Sequence, residues 1–158
     1  MRNVIVLFLV TVLGCVPSAV DAKGKKGRLN ESLSVTRRDR VEIVRRGSTD
    51  FVDVDGLTLT VTVDHEAVVV CHGVVGAGSD TPGFYEVGLS VDGVADPEPL
   101  PHHVPTQGSV SLPILRSVTF SPGTHVLKVQ IRGVFGDGTP RPEFELYLWS
   151  RRLVVLVY

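Results

Sequence analysis

From about residue 41 to the C-terminus, apolar and polar side chains alternate with period two. Leu57, Leu59, Val61 and Val63 point one way and Thr58, Thr60 and Thr62 the other, the pattern of a strand with one buried face. Tyr85, Val87, Leu89 and Val91 repeat it against Glu86, Gly88 and Ser90, and Leu127, Val129 and Ile131 repeat it against Lys128, Gln130 and Arg132. Phe144, Leu146 and Leu148 alternate with Glu143, Glu145 and Tyr147, while Val110 and Leu112 open a segment running to Phe120. Pro113 lies inside that segment. Proline donates no ladder hydrogen bond, so it predicts a sheet edge or a break there. Two runs, Ala67–Val75 and Leu153–Val157, are apolar on both faces, as in strands covered from both sides. The second run is terminal and predicts an additional cover, which a neighbouring subunit can supply.

Turn residues separate these stretches. Asp55-Gly56, Pro82-Gly83 and Asp92-Gly93 are turn dipeptides, and Gly136-Asp137-Gly138-Thr139-Pro140 ends another strand. In Ser121-Pro122-Gly123-Thr124, proline presets φ and glycine accepts a positive φ at the next position. Beyond residue 22 no segment carries apolar residues at helical spacing over three turns. Short strands at this spacing predict an all-β fold, a single antiparallel β-sandwich of jelly-roll type over residues 41–158. One connection is long: Asp92–Gly108 holds Pro97, Pro99, Pro101 and Pro105 with His102-His103, and reads as a stiffened surface loop. Composition agrees. Thirty residues are Val, whose branched side chain suits a pleated surface better than a helix, and a hydrophobic fraction of 43% argues against a disordered chain.

Residues 1–22 predict export. Met1-Arg2-Asn3 is a short positive n-region, Val4–Leu13 is an apolar run of signal-peptide length, and Val20-Asp21-Ala22 offers a cleavage site before Lys23. The alternative is a lipoprotein signal ending before Cys15, which would then be lipidated and anchor the chain at the cell envelope. In either case the chain is exported, and it meets a membrane only through that signal or lipid. Either route leaves Cys71 without an intrachain thiol partner, so no disulfide supports the fold. Its apolar surroundings mark it as a small buried hydrophobe rather than a nucleophile.

Charge is unevenly spread. Lys23–Arg46 holds nine Lys or Arg against three acids, +6, whereas Gly47–Tyr158 holds six against thirteen, -7. Residues 23–40 therefore read as a basic, solvated linker. It has no aromatic residue for base stacking, so no specific nucleic-acid partner is implied.

Candidate chemistry is sparse. Asp53 and Asp55 before Gly56 resemble part of a calcium loop, the one cofactor for which the sequence offers ligands, but the first acid and the bidentate Glu of that pattern are missing. Adjacent His102 and His103 diverge in an extended segment and do not form a metal pair by themselves; they are candidate ligand-binding residues. Trp149, the sole Trp, shares a face with Tyr147 and is the third such candidate. There is no nucleophile elbow, zincin helix, phosphate loop or dinucleotide fingerprint, so no catalytic residue is assigned and no enzyme is predicted.

Several stretches from Thr49 to Tyr158 carry a family likeness: Phe51–Val61, Leu89-Ser90-Val91-Asp92-Gly93, Phe120–Gln130 and the closing Leu153–Val157. Their order resembles bacterial and phage jelly-roll domains of the complement-head and tumour-necrosis-factor type. The glycine-threonine-histidine turn is also similar to carbohydrate-binding modules of jelly-roll form. The first resemblance implies a homo-oligomer that binds through its loops, and the second implies a surface glycan as partner. The expected function is adhesion or assembly without catalysis, with carbohydrate binding as the alternative.

Overall fold

A computed structural model describes Leu29, residues 31–105 and residues 108–158. The export segment, Cys15 and residues 23–28 lie outside the described residues. Nine strands follow: β1 (Glu31–Arg37), β2 (Val41–Arg45), β3 (Val52–Val63), β4 (Ala67–Gly78), β5 (Gly83–Val91), β6 (Leu100–Val104), β7 (Val110–Phe120), β8 (Gly123–Val134) and β9 (Phe144–Val157). Two antiparallel sheets stack face to face, one ordered β1-β9-β4-β7 with β2 also on β9, the other β3-β8-β5-β6. β1 pairs with Arg151–Val157 and β2 with Phe144–Leu148, so the two are halves of one interrupted strand along β9. With those halves merged, the eight strands follow jelly-roll order, each late strand folding back between or beside early ones.

The inward positions are those the alternation selects. Val61, Val69, Val87, Leu127, Val129, Ile131, Leu146, Leu148 and Val155 are all fully buried between the sheets. The basic stretch does not remain a linker to residue 40. Leu33 and Val35 alternate with Ser32, Ser34 and Thr36 and pack on the core, so the sandwich begins at β1. The Asp92–Gly108 connection is likewise not one loop, since Leu100–Val104 forms β6 along β5. The part before β6 is folded down. Asp96 accepts from Arg116 Nε at 2.6 Å, across the open edge between the two sheets, and locally from Glu98 N at 2.9 Å. Pro113 does mark an edge, because β7 is outermost in its sheet, but the strand runs through it opposite Val74 without a break.

Two bulges set the details. Asp55-Gly56 is not a hairpin turn but an irregularity inside β3, where the register shifts between Asp53 and Thr58. Gly56 there has φ +71°, and the Arg37 side chain lies 2.8 Å from where a Cβ would sit. The second bulge is in β9, opposite Gly76 and Ala77. It turns Leu148 and Arg151 to the same, inner side. Arg151 is fully buried and donates to the Asp39 carbonyl at 3.0 Å and to its carboxylate at 2.9 Å, which ties β9 to the break between β1 and β2.

β9 lies between β1 and β4 rather than at an edge. Leu153, Val155 and Val157 point into the core, while Val154 and Leu156 are half-exposed on the outer face. The connections β2–β3, β4–β5, β6–β7 and β8–β9 all gather at one end of the sandwich.

Candidate functional site

At that end lies a groove of about 320 Å³ lined by Arg40, Gly78, Asp80, Tyr147 and Trp149, among others. Its floor follows from the β9 bulge. The Trp149 ring lies along β4 over two glycines: a Cβ at Gly76 would be 3.1 Å from indole Nε1, and one at Gly78 only 2.5 Å from Cη2. Only glycine allows so close an approach of ring to backbone. The indole is thus packed against the sheet and also lines the groove. The Arg40 guanidinium sits 4.3 Å from the centre of the Tyr147 ring, a favourable placement of cation over π-face. The Tyr147 hydroxyl reaches Glu145 and, at 3.1 Å, Asp80. Those two carboxylates, Glu145 first, push its pKa up, so it stays a neutral donor.

A second groove of about 270 Å³ adjoins the first through Ser79 and Asp80, and its walls include Arg45, Arg46 and Arg141. Ser79 is buried and donates to the Glu145 carbonyl at 3.0 Å, where the Tyr85 hydroxyl also donates at 3.1 Å. These bonds fix the β4–β5 connection between the grooves. Beyond Arg141, Phe84 on the outer face of the other sheet is 42% exposed, and Phe135, just past the end of β8, is 50% exposed. The Arg141 guanidinium lies 5.7 Å from the Phe135 ring, and His103 stacks at a tilt on Phe84 with centroids 4.9 Å apart.

The structure thus separates the predicted site residues. Trp149 joins Tyr147 as the sequence implies. His103 points outward from β6 onto Phe84, while His102 points inward and is half-buried, and burial lowers its pKa. The two histidines diverge and share no site with Trp149. The Asp53 carboxylate is taken by Lys128 Nζ and Gln130 Nε2, both at 2.7 Å, and Asp55 is exposed. An ammonium on the carboxylate leaves no calcium pocket there, and among the described residues no group of three His, Cys, Asp or Glu is placed to hold a metal. Burial pushes the Cys71 thiol up to about 12. Arg40, Asp80 and the two-glycine shelf were not picked out from the sequence. Gly76 and Gly78 at alternate positions of one strand were the available signal, since spaced glycines mark close approach of another group.

One arrangement mimics catalytic machinery. His125 Nδ1 meets the Asp92 carboxylate at 2.8 Å, but its Nε2 is occupied by the Ser121 carbonyl at 2.9 Å. Neither ring nitrogen is free to act as a base, and the group closes a turn.

No protein-family model and no curated protein sequence matches the chain. Solved structures do. A structure of infectious bursal disease virus, Gx strain, superposes with TM-score 0.56 and 11% identity, over 80% of this chain and 32% of that one. A mutant VP2 protein of the same virus, in derived T=1 particles, gives TM-score 0.53 at 10% identity over 79% and 31%. This chain therefore spans about a third of the length of those viral chains. The likeness establishes the class of fold, an antiparallel jelly-roll sandwich. The CBM36-1 domain of a multidomain xylanase from the hindgut metagenome of Trinervitermes trinervoides aligns over 78% of this chain and 96% of its own at 10% identity, with TM-score 0.39, too low to carry an argument.

Proposed function

We propose that this chain is an exported, non-enzymatic adhesion domain whose Tyr147–Trp149 groove takes a surface glycan. The carrying observation is the Trp149 ring packed over Gly76 and Gly78, with Arg40 and Asp80 in the same groove. An indole face accepts the C–H face of a sugar ring, and a charged donor beside a charged acceptor suits its hydroxyls. In keeping with a binding role, Asp80 and Glu145 are both engaged by the Tyr147 hydroxyl, and both ring nitrogens of His125 are taken. Export rests on the character of residues 1–22. A glycan array tests the reading. Binding to at least one glycan class, lost in Trp149→Ala with the fold intact, is expected, and an array without hits overturns it.

A second reading, assembly, is favoured by a different observation. The outer face of the β1-β9-β4-β7 sheet carries Val70, Val74, Val154 and Leu156, with Leu115 60% exposed, and no described element covers it. The resemblance to complement-head and tumour-necrosis-factor-type domains implies a homo-oligomer, and this uncovered face is the surface that would form its contact. A mass that rises with concentration is the expected result.

A further inference from the structure

We infer that the Trp149 groove is one end of a track that crosses the tip of the sandwich and holds an internal stretch of a linear polysaccharide rather than a terminal sugar. This rests on the glycan reading above and deepens it. The observations form an unbroken series. The Trp149 groove shares Ser79 and Asp80 with the arginine-lined groove. That second groove is walled on its far side by Arg141, whose guanidinium stands over Phe135. Phe135 leads through Gly136 to Phe84, which lies 3.5 Å from where a Gly136 Cβ would sit and carries His103 on its other flank.

The topology explains why the two aromatic platforms oppose each other. Trp149 lies over β4, and Phe84 belongs to β5, the strand that follows β4 directly through Ser79–Pro82. That short connection passes over the tip between the sheets. One platform therefore faces outward from each sheet, with polar groups between them. Stacked sheets are about 10 Å apart, and a side-chain layer on each outer face brings the span to roughly 20 Å, about four sugar residues.

Exposure strengthens the case. Phe84 and Phe135 are two of the few large apolar side chains left in solvent, on and just past a face otherwise covered by charged and polar pairs such as Arg132–Glu86 at 2.7 Å and Lys128–Asp53 at 2.7 Å. Paired exposed aromatics at the end of an otherwise polar sheet face mark a contact surface. Between the platforms, Arg45, Arg46 and Arg141 line the second groove, and guanidinium groups there would donate to a bound chain's oxygens.

Calorimetry with cello-, xylo- and galacturono-oligosaccharides, from mono- to hexasaccharide, tests the track. For at least one series, affinity is expected to climb up to the tetrasaccharide or beyond. Phe135→Ala should then weaken the hexasaccharide about tenfold, the loss of one stacking contact, and leave the disaccharide unchanged. Phe135 is half-exposed, so this variant keeps its fold. Affinity that levels off at the disaccharide, or a hexasaccharide indifferent to Phe135→Ala but lost in Trp149→Ala, overturns the track while leaving the Trp149 site standing. If no series binds, or Trp149→Ala changes nothing, the glycan reading falls and the track with it.

Discussion

His125 is held from both sides of its ring. Nδ1 faces the Asp92 carboxylate and Nε2 the Ser121 carbonyl, both acceptors, so only the doubly protonated imidazolium can donate both bonds. The ring also stacks on Phe120 at 4.2 Å. The Asp92 bond, then the Ser121 bond, raise the His125 pKa. The Val126 amide, then His125, lower that of Asp92. A raised folded-state pKa gives stability that is full below the ordinary imidazole value and lost as pH rises through the folded one. A lowered carboxylate gives stability that is full above its ordinary value and lost as pH falls through the folded one. The pair therefore stabilises most between the ordinary values of 3.8 and 6.5. Urea melts should show His125→Gln losing more stability at pH 5.5 than at pH 9, and an NMR titration should place the His125 midpoint above 6.5. Arg151 poses the opposite problem, a fully buried guanidinium whose Nε has no partner. Arg151→Ala should cost about 3 kcal/mol through the cavity it leaves. Arg151→Met, which fills the space and removes the charge, should cost less than about 1 kcal/mol or even stabilise. Thermal melts of the two variants check the order. Nothing in the sequence marks Arg151 as interior, because Arg-Arg followed by Leu153 reads as the exposed start of an apolar strand.

The bulges explain how much of each element could be read in advance. Strands with unbroken alternation, such as β5 and β8, are legible because every second side chain is apolar. β3 and β9 change phase partway. Val54 and Leu57 both face inward, as do Leu148 and Arg151, and an odd step between buried positions is the trace of an inserted residue. Around Asp55-Gly56 the dipeptide itself favours a turn and masks that trace. β1 reads as tether because its charged neighbours outweigh Leu33 and Val35, although the alternation is present. At the site, Tyr147 and Trp149 could be paired from sequence since both lie on one strand. Arg40 and Asp80 could not, because they reach the groove from the break before β2 and from the β4–β5 connection. The glycine shelf makes the β9 bulge testable. In Gly78→Ala the new methyl would meet the indole at 2.5 Å, so Trp149 must lift off β4. Its emission, the only indole signal in the chain, should shift to the red, with a stability loss of about 1–2 kcal/mol. Glycan binding should fall with it.

As a whole, the molecule covers its two sheets unequally. The β3-β8-β5-β6 sheet presents cross-strand ion pairs to solvent, and these keep a sheet face wet. The other sheet presents rows such as Ser34, Val154, His72 and Leu115, and Ser32, Leu156, Val70 and Ser117, set by the strand register. Carboxylates are absent from these rows; serines edge the second row on both sides, and His72 is the one polar side chain in the centre of the first. Two copies can therefore stack this face on itself without opposing like acids, the condition for a two-fold contact. Four strands about 4.8 Å apart and some ten residues long give a face of roughly 600 Å², somewhat under the ~800 Å² per partner of a standard interface. A weak dimer is the expected outcome, with dissociation in the micromolar range or above. Sedimentation velocity across a hundredfold range of concentration should show monomer giving way to dimer. Leu115→Asp places a charge on the most exposed apolar side chain of the face and should hold the chain monomeric without lowering its melting temperature, since Leu115 contributes little to the core. A chain that stays monomeric at millimolar concentration would overturn self-association through this face and leave the glycan groove untouched by the result.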